Sequence, residues 1–271
     1  MNFFDWLVPL GTMAKQGFSR AVVILMTALG FSSLYAERTV DLSLSMDVPL
    51  VIASAGVGLG GRWMFKNMDV PGDVKSRSQL FPWDRPFAGN SSRLAGDMSN
   101  LFLYCAFLTP ALIWSEAWYD GSGSGREFGV FTVMFLETLA IQSGLNLMVR
   151  STQLWPRPYT YKSDDDHEAE AYGSFYSGHA SAAFSTAVFI SYSFNYFYPN
   201  SGYFPLVTAS SFALASGISA LRIVAGRHFL SDVIVGGLAG ATIAYGVIKL
   251  HETSVASISA GPGFAALTFH F

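Results

Sequence analysis

The sequence predicts an all-α protein, a polytopic bundle of about six core helices that crosses a membrane and carries a site at the helix ends on one face. Three observations predict it. Charged side chains make up only 13% of the 271 residues and hydrophobic ones 51%, whereas an ordinary soluble domain is about one quarter charged. Several long intervals hold no Asp, Glu, Lys, Arg or His: Ala21 to Ala36, Val48 to Gly61, Met98 to Ser115, Ala180 to Leu221 and Val233 to Ile248. Small residues line the last two, among them Ala182, Ala183, Ala187, Ala213, Ala215, Gly217, Ala220, Gly236, Gly237, Gly240 and Ala241, and such residues let helices approach closely in lipid. A net charge of −3 excludes a nucleic-acid binder that relies on a general basic surface. Cys105 is the only cysteine, so neither an intrachain disulfide nor a Cys-based zinc site can form.

Each element follows in chain order. Lys15 and Arg20 precede the apolar run Ala21 to Tyr35, and Leu34-Tyr35-Ala36 before Glu37 is similar to a signal-peptidase site. Residues 1–36 are therefore expected as a signal peptide or an N-terminal anchor helix, with Glu37 outside the cytoplasm. Residues 37–253 are expected as one helical domain whose chemistry lies between 128 and 251, and residues 254–271 as a tail. Val48 to Gly61 is short, glycine-rich and ends at Arg62, so it is expected not to span. Lys66 to Asp97 is polar, with Gly, Pro and Ser, and reads as a loop or re-entrant segment. Phe128 to Val149 is a long apolar helix carrying Glu137 near its middle, and a carboxylate there needs a partner. Ala180 to Leu221 is broken only by Pro199, Asn200, Ser201 and Gly202, with Pro205 closing the turn, which gives two helices in a hairpin. Ser254 to Phe271 is small and apolar and ends as outer-membrane barrel strands do, but one strand cannot make a barrel.

The scarce charges gather where apolar helices begin or stop. Arg150 to Pro158 follows the helix that holds Glu137; Tyr176-Ser177-Gly178-His179 precedes the hairpin; Arg222, His228 and Asp232 bridge its end and the start of the next helix. With helices alternating in direction, these three groups emerge on one face. Arg150, Arg157 and Arg222 offer guanidinium forks that match phosphate oxygens. Ser177 offers a hydroxyl, and the Gly178 and His179 amides lie at a helix N-terminus, which favours an anion. Two histidines suit a two-step transfer in which His228 attacks phosphorus and His179 protonates the leaving oxygen. Asp232, four residues after His228, is placed to accept from its imidazole.

Arg150-(six residues)-Arg157-Pro158, Ser177-Gly178-His179 and Arg222-(five)-His228-(three)-Asp232 resemble the three-part signature of the type 2 phosphatidic acid phosphatase superfamily, with matching spacing in all three parts. The resemblance covers roughly Phe128 to His251. It implies a helical fold, no metal and no cofactor. It also implies a phosphohistidine on His228 assisted by Asp232, with His179 as acid and then base. Arg150, Arg157, Ser177, Gly178 and Arg222 would bind phosphate. Three positions depart from the family pattern: Arg150 stands where Lys is usual, Tyr176 where Pro is usual, and Leu221 where Ser is usual.

A site at the ends of apolar helices implies a phosphorylated lipid as substrate and the membrane as partner: a phosphomonoester or a polyprenyl pyrophosphate. The same cradle would also serve a soluble-type acid phosphatase, a vanadate-dependent haloperoxidase or a nonenzymatic phospholipid-binding protein. His251 and His270 read as caps or interface residues and Arg227 as a headgroup anchor. Asp164, Asp165, Asp166, His167, Glu168 and Glu170 read as a solvated loop, since contiguous carboxylates repel and lack calcium-loop spacing. Trp83-Asp84-Arg85-Pro86 reads as a turn or an entry wall. If Val48 to Gly61 does not span, the crossings place the site on the periplasmic face of a bacterial-type envelope. The sequence leaves the oligomeric state open.

Overall fold

The computed structural model describes residues 40–71, 76–162, 167–252, 257–261 and 264–268. The expected signal or anchor at 1–36, the carboxylates Asp164 to Asp166, and His270 lie outside the described residues. Six α-helices appear among them: α1 (Leu44–Lys66), α2 (Arg93–Asp120), α3 (Gly125–Arg150), α4 (Gly178–Phe197), α5 (Phe204–Val224) and α6 (Leu230–His251). The tail adds one element outside the all-helical expectation. Strands β1 (Ser257–Gly261) and β2 (Phe264–Thr268) pair antiparallel, with Ser257 opposite Thr268 and Gly261 opposite Phe264.

The helix boundaries are chemical. Ser92 caps α2 by accepting from the Ala95 amide at 3.3 Å. Ser124 and Glu127 form a reciprocal capping box on α3, which satisfies two amides the helix leaves unpaired. Gly121 closes α2 in the left-handed conformation, φ +81°, the usual glycine termination. Pro205 sits in the first turn of α5, where a missing amide costs nothing. Asp84, buried in the loop before α2, accepts from the Ser231 amide at 3.1 Å and its hydroxyl at 2.6 Å. The Trp83-Asp84-Arg85-Pro86 turn therefore fixes the start of α6.

Helix α4 is the axis of the bundle. Most of its residues are buried, and α2, α3, α5 and α6 all pack on it. Three of its hydroxyls are satisfied within the helix: Thr186, Ser191 and Ser193 each donate to the carbonyl four residues back, as suits polar groups in an apolar interior. Glycine brings α6 against α4. A Cβ at Gly236 or Gly240 would collide with the Ser177 or Ser181 carbonyl, so the two backbones touch. Helix α1 meets α3 in the same way, a Cβ at Gly144 falling 2.7 Å from the Gly58 amide nitrogen.

Five of the six helices (α1 from Asp47, α2, α3, α5, α6) are long and apolar enough to cross a membrane. Their outer faces carry exposed large apolar groups, including Leu101, Leu108 and Leu112 on α2 and Ile234 and Leu238 on α6, a surface suited to lipid and costly in water. Exposed Trp63 and Trp83 lie at one end and Trp118 at the other, where interfacial aromatics belong. The chain is an integral membrane protein. The expectation that Val48 to Gly61 falls short is corrected: α1 extends it at both ends to 23 residues, because Ser45, Asp47 and Arg62 to Lys66 continue the helix. Leu44 and His251 share one end of the bundle, since the Asp41 amide donates to the His251 carbonyl at 3.2 Å. The ends that carry the three motif segments lie at the other.

Replacing Gly240 with Val drives a side chain into the Ser181 carbonyl and is expected to cost about 1–3 kcal/mol, the usual penalty of overpacking. Gly246, which has nothing within 4 Å of its would-be Cβ, tolerates Ala. Thermal unfolding in detergent checks both, and equal stability of the two variants contradicts the close-contact account.

Candidate active site

The three motif segments meet as the alternating helix directions require. Arg150 ends α3, and its Nε donates to the Gly173 carbonyl at 2.9 Å while its guanidinium stacks on the Phe65 ring at 4.3 Å. Phe65 lies on α1, so the end of α1 belongs to the same face. Arg157 sits in the following loop, tied by its amide to the Ala171 carbonyl at 2.8 Å. The next loop residues are anchored in turn, Ser174 by its amide to Trp155 and Tyr159 by its amide to Gly226.

His228 is buried just ahead of α6, and its Nδ1 lies 2.9 Å from the Ser174 carbonyl. A carbonyl can only accept, so Nδ1 carries the proton and Nε2 keeps its lone pair. Asp232 differs from the expected arrangement. Its Oδ2 lies 3.6 Å from His228 Nδ1, too far for a hydrogen bond, and instead accepts from the Ser174 hydroxyl and, at 2.8 Å, from the Phe229 amide. The direct His–Asp bond expected from the four-residue spacing is replaced by a relay through Ser174, because His228 precedes the helix rather than occupying its first turn.

Ser177 is fully buried and caps α4, its hydroxyl accepting from the Ala180 amide at 3.3 Å and its amide donating to the Asp232 carbonyl at 3.0 Å. Gly178 is the one residue that fits its place, since a Cβ there would lie 2.7 Å from Asn146 Oδ1. His179 opens α4 half-buried, with Nε2 2.7 Å from Asn100 Oδ1. That oxygen also lies 3.5 Å from Arg222 Nη1, which reaches Ser99 Oγ at 3.2 Å. The eight motif residues thus gather at one end of the bundle. His228 feels the charges of Arg157, Arg222 and Arg150 in common.

Two of the departures from the family pattern have local replacements. Where a rigid Pro would set the turn before Ser177, Asn146 Nδ2 holds the Tyr176 carbonyl at 2.6 Å. Where Ser would precede Arg222, Leu221 faces an outer groove and Ser99 of α2 supplies the hydroxyl beside the guanidinium. Nothing in the structure explains Arg150 in place of Lys beyond its stacking on Phe65.

The charge balance is one-sided. Arg157 Nε and Arg222 Nε are buried donors with no hydrogen-bond partner among the described residues. Buried donors without acceptors are costly, and an anion supplies acceptors to both. Sequence reasoning missed Asn100, Ser99, Ser174 and Asn146. Asn100 and Ser99 lie inside an apolar interval, and a polar residue that cannot face lipid is the signal that marks them. Ser174 carries no such signal. His167, from the acidic stretch, packs edge-on to Tyr159, and the Arg227 guanidinium lies 5.4 Å from the Tyr159 ring.

Apolar spanning helices that close round two histidines and three arginines define a membrane-embedded phosphoric monoester hydrolase. Residues 131–256, which contain all eight motif residues, match the model of the PAP2 superfamily. Among solved structures it is similar to Aquifex aeolicus LpxE, with 22% identity over 67% of this chain and 99% of that one and a TM-score of 0.42. No curated protein matches.

Burial, and then Arg157, Arg222 and Arg150, hold His228 well below the ordinary imidazole pKa of 6.5. The unfolded chain takes up that proton more readily. The His228 contribution to stability is therefore complete above pH 6.5. It falls by about 1.4 kcal/mol per pH unit below that, for as long as the native imidazole stays neutral. His228→Gln is expected to flatten this acid slope, read from unfolding midpoints between about pH 7 and about pH 5; an unchanged slope contradicts the neutral assignment.

Proposed function

We propose that the protein removes phosphate from a lipid phosphomonoester or a polyprenyl pyrophosphate through a phosphohistidine on His228. The observation that carries this reading is the buried, acceptor-free edge of Arg157 and Arg222 next to a histidine whose Nε2 lone pair is free to attack. With phosphate oxygens on Arg150, Arg157, Arg222 and the amides of Gly178 and His179, the His228 Nε2 pair forms the N–P bond. With the phosphate anion bound His179 is the imidazolium; the bond from phosphorus to the lipid oxygen breaks, that oxygen takes the Nε2 proton in place of Asn100, and His179 is left neutral. Positive charge on His228 is spread through Nδ1–H to the Ser174 carbonyl and compensated by Asp232. A water that gives its proton back to His179 then attacks phosphorus, the N–P bond breaks, and phosphate leaves. The arginines stabilise charge on the transferring group, and no step runs through a metal.

A lipid substrate is favoured by the ground beside Arg222. An apolar groove of about 440 Å³ runs between α2 and α5, lined by Phe102, Leu214, Gly217, Ile218, Leu221 and Val224. It reaches the turn that holds Arg222, so a substrate with its phosphate in the cradle can lay an acyl or prenyl chain there.

His228→Ala is expected to abolish phosphate release and acid-labile phosphorus labelling of the chain, and His179→Ala to slow turnover by about 10²–10⁴-fold, the worth of a general acid. Release should persist in chelator. Wild-type protein that is inactive on every phosphorylated lipid tried, or that is labelled equally in His228→Ala, refutes the mechanism. Gly217 has nothing within 4 Å of its would-be Cβ. Gly217→Phe should therefore fill the groove and raise KM for a long-chain lipid phosphate while sparing a water-soluble phosphoester; equal effects on both would argue for a small-phosphoester enzyme.

With α1 spanning, the count of crossings no longer favours the periplasmic face, and a periplasm-facing site requires Leu44 and His251 to lie on the cytoplasmic side, because they sit at the far end of the bundle. A reporter fused after His251 that stays in the cytoplasm supports that placement, and an exported reporter puts the site on the cytoplasmic face.

A further inference from the structure

We propose that Asp47, Glu137 and His251 bind a divalent transition-metal ion at the end of the bundle opposite the phosphatase site. The three residues come from α1, α3 and α6. Asp47 lies in the first turn of α1 and His251 ends α6. Along α6 this is about 28 Å from Asp232, at 1.5 Å per residue. Glu137 and His251 are 4% and 2% exposed and Asp47 8%. One ligand atom from each lies within 4.8 Å of the other two.

The hydrogen bonding of His251 fixes what these atoms need. Nδ1 lies 2.8 Å from the Val247 carbonyl, which can only accept, so Nδ1 holds a proton and Nε2 faces the carboxylates. Such a backbone carbonyl on the remote ring nitrogen is the usual orienting contact of a ligating histidine. Asp47 Oδ1 is 2.8 Å and Glu137 Oε2 3.4 Å from Nε2. Neither contact is a hydrogen bond: His251 Nε2, both oxygens of Asp47 and both of Glu137 are buried without a hydrogen-bond partner among the described residues. At 2.8 Å the Asp47 oxygen is near enough for one, so it lies off the axis along which Nε2 would donate. Oxygens beside that axis are where neighbouring ligands stand when the axis points at an ion. Ligands about 2.1 Å from a metal are separated by about 3.0–3.4 Å along a polyhedron edge, and both contacts are near that range.

Charge points the same way. Two carboxylates and a neutral imidazole carry −2, which a buried site cannot hold alone and which one divalent ion cancels. One imidazole with two carboxylates suits Zn²⁺, Mn²⁺ or Fe²⁺ better than Mg²⁺ or Ca²⁺, which prefer oxygen alone. The ion would pin the start of α1 to α3 and α6, giving Glu137 the partner that an intramembrane carboxylate requires. It touches no reacting atom of the phosphatase site.

The full chain, carrying Cys105→Ser to remove the exposed thiol, is purified in detergent, stripped with chelator and titrated with Zn²⁺, Mn²⁺ or Fe²⁺. Bound metal is counted per chain. The expected result is one equivalent in the parent, lost in Glu137→Gln and in His251→Ala, with an unfolding midpoint that rises with metal in the parent alone. A parent that takes up none of the three ions overturns the proposal without recourse to any variant. Folded Glu137→Gln binding as much metal as the parent overturns it too, and points to a protonated His251 between the two carboxylates. Metal content and unfolding are read independently of phosphate release, so this proposal and the phosphatase mechanism fail separately.

Discussion

The structure depends on the backbone contact between α4 and α6. Gly236 and Gly240 let α6 lie directly on the Ser177 and Ser181 carbonyls, and the Ser177 amide is thereby close enough to donate to the Asp232 carbonyl. That contact sets the second motif against the third. A side chain at either glycine would separate Ser177-Gly178-His179 from His228 and Asp232 by the width of a methyl group or more. In a membrane the hydrophobic effect does not drive helices together, and close packing of small residues takes over much of that task. The alanines and glycines that marked the chain as membrane-embedded are thus also what gives the site its dimensions.

The fold was legible because its signals are local. Charge-free intervals show where helices cross the apolar layer, and Pro199 to Gly202 and Pro205 show where the hairpin turns. Failures came where a polar residue continues a helix: α1 runs beyond the charge-free stretch because Asp47 and Arg62 are helical, and charge marks where a helix leaves lipid rather than where it stops. The site was legible to the level of which segments meet, since alternating helices with short turns allow only one set of ends on a face. Its wiring was not. Whether Asp232 touches His228 depends on whether the histidine lies within α6 or just before its cap, and Ser174, which resolves that, sits in an irregular loop without periodicity. Asn100 and Asp84 come from segments distant in the chain, and nothing local ties them to the motifs.

The histidine on α4 and the arginine on α5 share Asn100 of α2, so three helices agree on the position of one amide oxygen. This explains how the site tolerates Leu221 and Tyr176. The hydroxyl and the rigid turn lost from the signature segments are supplied by Ser99 and Asn146, from helices that pack against those segments anyway. The candidate phosphate cradle is a property of the assembled bundle, and a motif scan sees only the half of it that is contiguous.

The two ends of the bundle are incomplete in opposite senses. At the motif end, buried guanidinium donors lack acceptors; at the far end, buried carboxylate oxygens lack donors. Neither can be left unpaired at low cost in an apolar surrounding, and they cannot neutralise each other across the length of α6. A ligand of the missing sign would stabilise each end. The sequence holds few charges, and the structure places the uncompensated ones where an anion at one end and a cation at the other would make the interior neutral.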